Sequence, residues 1–374
     1  MHLEKSLLED WMRRYYFTTT YDLGSSGVLN FSIEELFALI GLEITDLNHI
    51  RFDDSNTFGN HELRQRIADR WGDGNPSSVL VGNGSNEIIF FLLNALLSTD
   101  DEVITLSPIY HTLGKLTKSL GCNVKEWTLN PLKNFQPDLE DLKKIISSKT
   151  RMVVVNFPHN PTGVSLTNDQ LNELINIVSK VNAYLVWDAA FEGIVYNGNP
   201  LPNPYLSYSK TVYIGTVSKS YGLAGLRIGW CISDPKIINK CDVIKDYTSL
   251  YVSPLNEFIG VHAIKNIYKI MASIIPRVKE NYHRLEYWLN EHSDEVCGNL
   301  PDGGVSVFLK ILRCDNTHLF CENLAIKEKV LLVPGKCFEH PEYVRIGFGT
   351  SPEYFQKGLD ILSRSISARE VYLG

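Results

Sequence analysis

The chain has 374 residues, 44% of them apolar and 21% charged, with a formal charge of −7. That length fits two domains, or one large α/β unit with a smaller partner, and the net negative charge gives no electrostatic reason to expect nucleic acid or an anionic membrane as a partner. The seven cysteines are dispersed with no CxxC pair, which argues against a zinc ribbon or a thioredoxin-like site; no metal site is expected, and reduced thiols are.

The amino-terminal MHLEKSLLEDWMRRYYF is charged and has no apolar leader core, so a cytoplasmic protein is expected. VLVGNG reads as a strand followed by the apolar helix NEIIFFLLNALL, whose greasiest run is too short to span a bilayer. DEVITLSP, YHTLGKLTKSLG and NVKEWTL read as strand, helix and strand. PDLEDLKKIISS then leads into the buried strand RMVVVNFP, NDQLNELINIVSKV into AYLVWD, and TVYIGTVS follows. This βαβ rhythm predicts a mainly parallel sheet covered by helices. The last third differs: one long helical stretch, NEFIGVHAIKNIYKIMASIIPRVKENYHRLEYWLNEH, leads into GVSVFLKI and YVRIGFG, a smaller α+β unit. The first 45 or so residues are expected to pack on that unit or over the cleft.

Ligands of open α/β sheets bind at the carboxyl ends of the strands, so the polar residues there are the candidates. Gly84, Ser85 and Asn86 open an apolar helix; its free N–H groups suit a phosphate, although an ordinary N-cap looks the same. Tyr110 can stack on a flat ring. Asn160, in the turn NFPHNPTG, offers both donor and acceptor, or simply builds the turn. Asp188 closes an apolar strand and needs a partner such as a protonated ring nitrogen; a core hydrogen bond is the plainer role. Lys219 lies in TVSKSYGLAGLRIGW, where burial would lower its pKa and make it a nucleophile toward a carbonyl. A lysine for an imine, a carboxylate for a pyridine nitrogen, an aromatic platform and a phosphate cup together match the needs of pyridoxal phosphate.

The order Asn160-Pro-Thr-Gly, Asp188, Ser218-Lys219, Arg227 resembles the fold-type I, class I/II aminotransferase superfamily. The resemblance implies a mainly parallel seven-stranded sheet in a large pyridoxal-phosphate-binding domain (46–255), a small α+β domain (256–374) and an amino-terminal segment (1–45). It implies Lys219 as the Schiff-base lysine, Asp188 on the ring nitrogen, Asn160 on O3′ and Tyr110 on the ring. Gly84, Ser85, Asn86, Thr216, Ser218 and Arg227 would hold the phosphate. Arg345, in YVRIGFG, would bind the α-carboxylate of a small amino acid substrate. The family also implies a homodimer with a shared active site.

Two positions depart from the family pattern. Phe191 stands three residues past the aspartate, where many members carry a tyrosine that bonds O3′. FDDSNTFGNHELR has Asp54 and Ser55 where a tyrosine lent to the partner's phosphate is usual. Losing the phenol alters proton shuttling and weakens the case for routine transamination.

The amino-terminal stretches LLEDWMRRYYF, YDLGSSGVLNFSIEEL and RFDDSNTFGNHELRQRIADRWG resemble the capreomycidine synthase branch and, more loosely, an enduracididine-forming cyclodehydratase. That branch cyclises hydroxylated arginine. A guanidinium needs carboxylates: Glu9 is the first choice, then Asp10, Asp22, Asp53 and Asp54, and Ser26 joins Arg345 and Glu9 as an expected substrate contact. His159, beside Asn160, is an expected proton carrier, with a structural role the alternative. The rival readings are a plain aminotransferase, an oxidase or lyase using the same cofactor, and the sensing domain of a transcription regulator. The last would need a basic DNA-binding module, for which the short acidic amino-terminal segment leaves no room.

Overall fold

The computed structural model describes residues 3–312, 314 and 316–367. A seven-stranded sheet forms its centre, in the spatial order Val79–Gly82, Gly229–Ile232, Thr211–Thr216, Tyr184–Asp188, Thr150–Asn156, Glu102–Ser107, Asn123–Thr128. Gly229–Ile232 runs antiparallel to both its neighbours, and the remaining pairings are parallel. The central strands are rich in β-branched residues and buried on both faces, as a sheet covered by helices requires. Their side chains alternate between two cores: Val154, Val186, Val212 and Ile214 face one, with the apolar helix Ser85–Leu96, and Val153, Val155, Leu185 and Tyr213 face the other.

Five of these strands are legible as apolar runs, and Asn123–Thr128 as a polar, strand-like segment with Trp127 its one buried residue. The seventh, Gly229–Ile232, is four residues long and begins with glycine, so it reads as part of a glycine-rich loop. Gly229 is required there: a Cβ would lie 2.3 Å from the backbone nitrogen of Ser85.

The expected single long helix is two, Pro254–Lys265 and Ile267–Glu291, bent by 73°. Asn266 breaks it, its side-chain amide donating to the His262 carbonyl at 2.9 Å while its backbone adopts φ −106°. No single helix among the described residues is long and apolar enough to cross a membrane.

A four-stranded antiparallel sheet follows, ordered Val333–Pro334, Tyr343–Gly347, Ser306–Ile311, Val296–Cys297. The amino-terminal segment is fastened to the elements beside it. The Trp11 indole donates to the Leu332 carbonyl at 2.8 Å, the Tyr15 phenol to Glu322 at 2.6 Å, and Tyr21–Asp22 pairs in parallel with Val330–Leu331. Residues 24–31 then run as a strap between the YVRIGFG strand and the Lys219 loop. Gly347 and Gly349 let it lie flat, since a Cβ on either would come within 1.8 Å of the Ser25 carbonyl oxygen or 2.2 Å of that of Gly27.

Candidate active site

Strand ends, strap and amino-terminal helix enclose a cavity of about 510 Å³. Its wall brings together Ser85, Asn86, Tyr110, Asn160, Asp188, Ser218, Lys219, Arg227 and Arg345 with Glu9, Ser26 and Phe191.

Asp188 ends its strand in register with Asn156. The Asn156 side chain donates to the Asp188 carbonyl at 2.9 Å and accepts the Asn160 amide at 2.8 Å, joining the two turns. The Asp188 carboxylate accepts the Ala190 amide at 3.0 Å. Burial raises its pKa to about 6, against the weaker pull of Ala190 and Lys219. Lys219 moves the other way: burial, then the Arg345 guanidinium, lowers its pKa to about 8. Asp188 therefore resists ionisation for want of a cation, and Lys219 is an amine that gives up its proton near neutral pH.

Arg345 is 2% exposed and donates to Asn160 Oδ1 at 3.0 Å and to the Gly24 carbonyl at 2.6 Å. Both acceptors are neutral, its Nε is buried without a partner, and burial lowers its pKa to about 10. Such a guanidinium is suited to a carboxylate.

At the other end, the helix Ser85–Leu96 starts without a side-chain cap, at Gly84 with φ +90°. A Cβ on Gly84 would sit 2.1 Å from Arg227 Nη2, so only glycine lets that guanidinium lie against the helix N-terminus. Arg227, itself left-handed at φ +54°, is bonded to neutral oxygens, the carbonyls of Ala224 at 2.9 Å and Asn83 at 3.2 Å. A guanidinium and a positive helix end held together is a cradle for a dianion. With the amine and a buried carboxylate whose one hydrogen-bond donor is the neutral Ala190 amide, these residues fit pyridoxal phosphate.

Three expected contacts stand outside the wall. Gly84 acts by having no side chain. The Thr216 hydroxyl donates to the Ile228 carbonyl at 3.0 Å and lies 2.9 Å from the Ser218 hydroxyl, so it orients Ser218 from behind. His159 is 1% exposed, with Nε2 2.7 Å from the Pro108 carbonyl oxygen and Nδ1 2.8 Å from the Thr162 hydroxyl. A carbonyl only accepts, so Nε2 holds the hydrogen and Nδ1 accepts from Thr162. Burial lowers its pKa to about 4. With both nitrogens engaged and no place on the cavity wall, His159 fits a support for the Pro108 turn and not a proton carrier.

Among the carboxylates, Glu9 faces the cavity and accepts from the Tyr110 phenol at 3.1 Å, which in turn receives the Asn86 amide at 3.2 Å. The others are engaged elsewhere. Asp10 pairs with Lys5 at 2.7 Å and Arg14 at 2.9 Å, Asp53 with Arg51 at 2.9 Å, and Asp54 accepts from Tyr251. Asp22 caps the turn that presents Ser25 and Ser26.

The wall also holds Arg13 and Tyr16, which the sequence reading passed over. Their signal is helical: Glu9, Arg13 and Tyr16 recur at i, i+4 and i+7, one face of the helix Leu7–Tyr15 and its C-cap, while Trp11 enters the core and Leu8 lies between core and wall.

The aminotransferase class I and II family model matches residues 47–362. Capreomycidine synthase of Streptomyces vinaceus is 34% identical over 361 residues, 96% of this chain and 93% of its own. The crystal structure of a PLP-dependent cyclase, OrfR, in complex with Au superposes with a TM-score of 0.94 at 34% identity, covering 99% of this chain and 98% of that one. That of a PLP-dependent aminotransferase from Streptococcus suis 89-1591 does so with a TM-score of 0.94 at 28% identity, covering 98% and 99%.

Proposed function

The chain belongs to the aminotransferase class I and II family, and on that premise we propose a pyridoxal-phosphate-dependent cyclodehydratase. Its substrate would be a β- or γ-hydroxylated L-arginine and its product a cyclic guanidine amino acid of the capreomycidine or enduracididine type. The observation that carries this reading is Glu9, a carboxylate at the rim of a cavity whose floor holds Lys219, Asp188 and Arg345. Similarity over nearly the whole chain to capreomycidine synthase and to a PLP-dependent cyclase supports it.

Ser85, Asn86, Ser218 and Arg227 would hold the cofactor's phosphate, Asp188 its ring nitrogen, and Lys219 its aldehyde carbon. Asn160, whose Oδ1 is taken by Arg345, would offer its side-chain Nδ2–H to O3′. When bound, pyridoxal phosphate accepts the electron pair left at the substrate Cα. Arg345 receives the α-carboxylate. Once the substrate's own amine has taken its place at the aldehyde carbon, the freed Lys219 amine, with a pKa of about 8, would take the Cα proton. Asp188 would keep a proton on the ring nitrogen. Glu9 holds the guanidinium over the same cavity, which turns ring closure into a proximity effect. The C–O bond of the hydroxylated carbon breaks and the hydroxyl leaves with a proton as one water, a guanidine nitrogen bonds that carbon and gives up a proton, and a proton returns to Cα. A γ-hydroxyl additionally requires loss of a Cβ proton first. The balance needs no oxidant and no keto acid.

Arg13, on the same rim, favours a second reading. It reaches Asp10 at 3.9 Å, while Asp10 is held more closely by Lys5 and Arg14. A cation there suits an acidic side chain and an aminotransferase. Phe191, in place of a phenol, counts against it. The test is whether hydroxyarginine is consumed by the loaded enzyme in the absence of any keto acid.

A further inference from the structure

Glu192 is a half-buried carboxylate that the chemistry above leaves unused. It lies four residues past Asp188, in the turn leaving the strand Tyr184–Asp188, with its amide donating to the Ala189 carbonyl at 2.9 Å. Its Oε1 accepts the Trp71 indole N–H at 2.7 Å and the Tyr221 phenol. Tyr221 is two residues past Lys219 and 2% exposed. Trp71 packs on Trp230 at 4.7 Å and edge-on to Tyr221 at 6.3 Å. An aromatic wall thus stands behind the lysine loop, with this carboxylate as the acceptor for two of its rings. The loop's other side is held by the strap: Val28 N–H donates to the Lys219 carbonyl and Phe31 N–H to that of Gly222, each at 2.9 Å.

We propose that Glu192 is a positioning residue that ties the segment bearing Asp188 to the loop bearing Lys219 and so fixes the amine against the carboxylate. The tie rests on the reading of Lys219 and Asp188 as cofactor contacts and is independent of cyclisation. A carboxylate accepting from a phenol is a charge-assisted, short bond and a stiff one. Without it the lysine loop loses its side-chain anchor to the Asp188 turn and keeps the strap and its own backbone bonds, such as Leu223 N–H to the Val217 carbonyl at 3.2 Å, and the amine's environment changes.

The experiment compares wild type, Glu192→Gln, Glu192→Ala, Tyr221→Phe and the Glu192→Ala/Tyr221→Phe double variant. Two quantities are read: the pH midpoint of the cofactor's visible band, and the rate at which cofactor-free protein takes up added pyridoxal phosphate. Glutamine keeps an acceptor for both donors, so both quantities stay close to wild type. Glu192→Ala and Tyr221→Phe move the midpoint in the same direction and slow uptake roughly tenfold or more. The double variant is no worse than the poorer single, because both changes cut the same bond. Should Glu192→Ala fail to fold, Tyr221→Phe, which loses one hydroxyl, carries the comparison. A merely structural Glu192 would lower the melting temperature and leave midpoint and uptake unmoved; that result, or single effects that add, overturns the proposal. A wild-type band that persists in Lys219→Ala would overturn the cofactor assignment as well, whereas a Lys219-dependent band without cyclisation would leave the tie testable and sink the proposed reaction alone.

Discussion

Asp188 and Lys219 are ionisable groups that folding holds where water would not. Asp188 rises from 3.8 to about 6 because it is buried. The unfolded chain gives up that proton more readily, so the cofactor-free protein loses stability as pH rises through this window. Above it the cost is on the order of 3 kcal/mol. Asp188→Asn still accepts the Ala190 amide and carries no charge. Denaturant melts of the cofactor-free variant at neutral pH are expected to show it more stable than wild type, while it binds the cofactor more weakly; a less stable variant would show that Asp188 already has a cationic partner. Lys219 is expected to react with an amine-directed reagent in the cofactor-free protein with a midpoint near pH 8, against an ordinary value of 10.5. A midpoint at the ordinary value would mean the amine is solvated. Glu9→Ala is expected to raise KM for hydroxyarginine roughly tenfold, a modest effect because the residue sits at an open rim, with cofactor uptake unchanged and Glu9→Gln intermediate. Wild-type kinetics in both variants would move the guanidinium elsewhere.

Single residues were legible in the sequence where the chemistry demands an unusual type. A lysine in a small-residue loop and a carboxylate ending an apolar strand stand out before any fold is known. His159 and Thr216 stand off the cavity wall, which the sequence does not reveal because residue type and chain position do not say which way a side chain points. One position along the turn from Asn160, His159 faces Pro108 and Thr162 instead of the cavity.

At the scale of elements, the strap 24–31 decides the shape of the substrate end. It lies against Gly347 and Gly349 and hydrogen-bonds across to the Lys219 loop. Gly347→Ala is expected to push Ser25 and Ser26 off the wall, costing about 1–3 kcal/mol of stability from overpacking and raising KM without preventing cofactor uptake. Melting curves and steady-state kinetics check both halves; an unchanged KM would mean the strap does not shape the site. Apolar runs made five strands of the large sheet readable, and the strand-like segment Asn123–Thr128 a sixth. The antiparallel seventh was hidden by its shortness and its glycine, and the 73° helix break by an asparagine whose side chain competes with the helical ladder. The amino-terminal helix was harder. Its apolar face announces packing, but that Glu9, Arg13 and Tyr16 face the cavity beside the apolar Leu8 and Met12 follows only once the helix is docked.

For the whole molecule we propose a homodimer. Phe52 and Tyr247 are 86% and 87% exposed, large aromatics that a subunit contact would cover. Light scattering is expected to give twice the chain mass, and a fully active monomer would contradict it. The central claim concerns the reaction. Two opposite charges, Glu9 and Arg13, share the rim of one cavity, and the reading turns on which of them the substrate answers. The direct measurement is mass analysis of arginine and its β- and γ-hydroxy forms incubated with the loaded enzyme, with and without a keto acid. The account predicts that one hydroxyarginine loses a single water to give a cyclic guanidine, at a rate indifferent to the keto acid, while arginine gives no cyclic product. A ketone formed in stoichiometric step with keto acid consumption, and no dehydrated product, would contradict it.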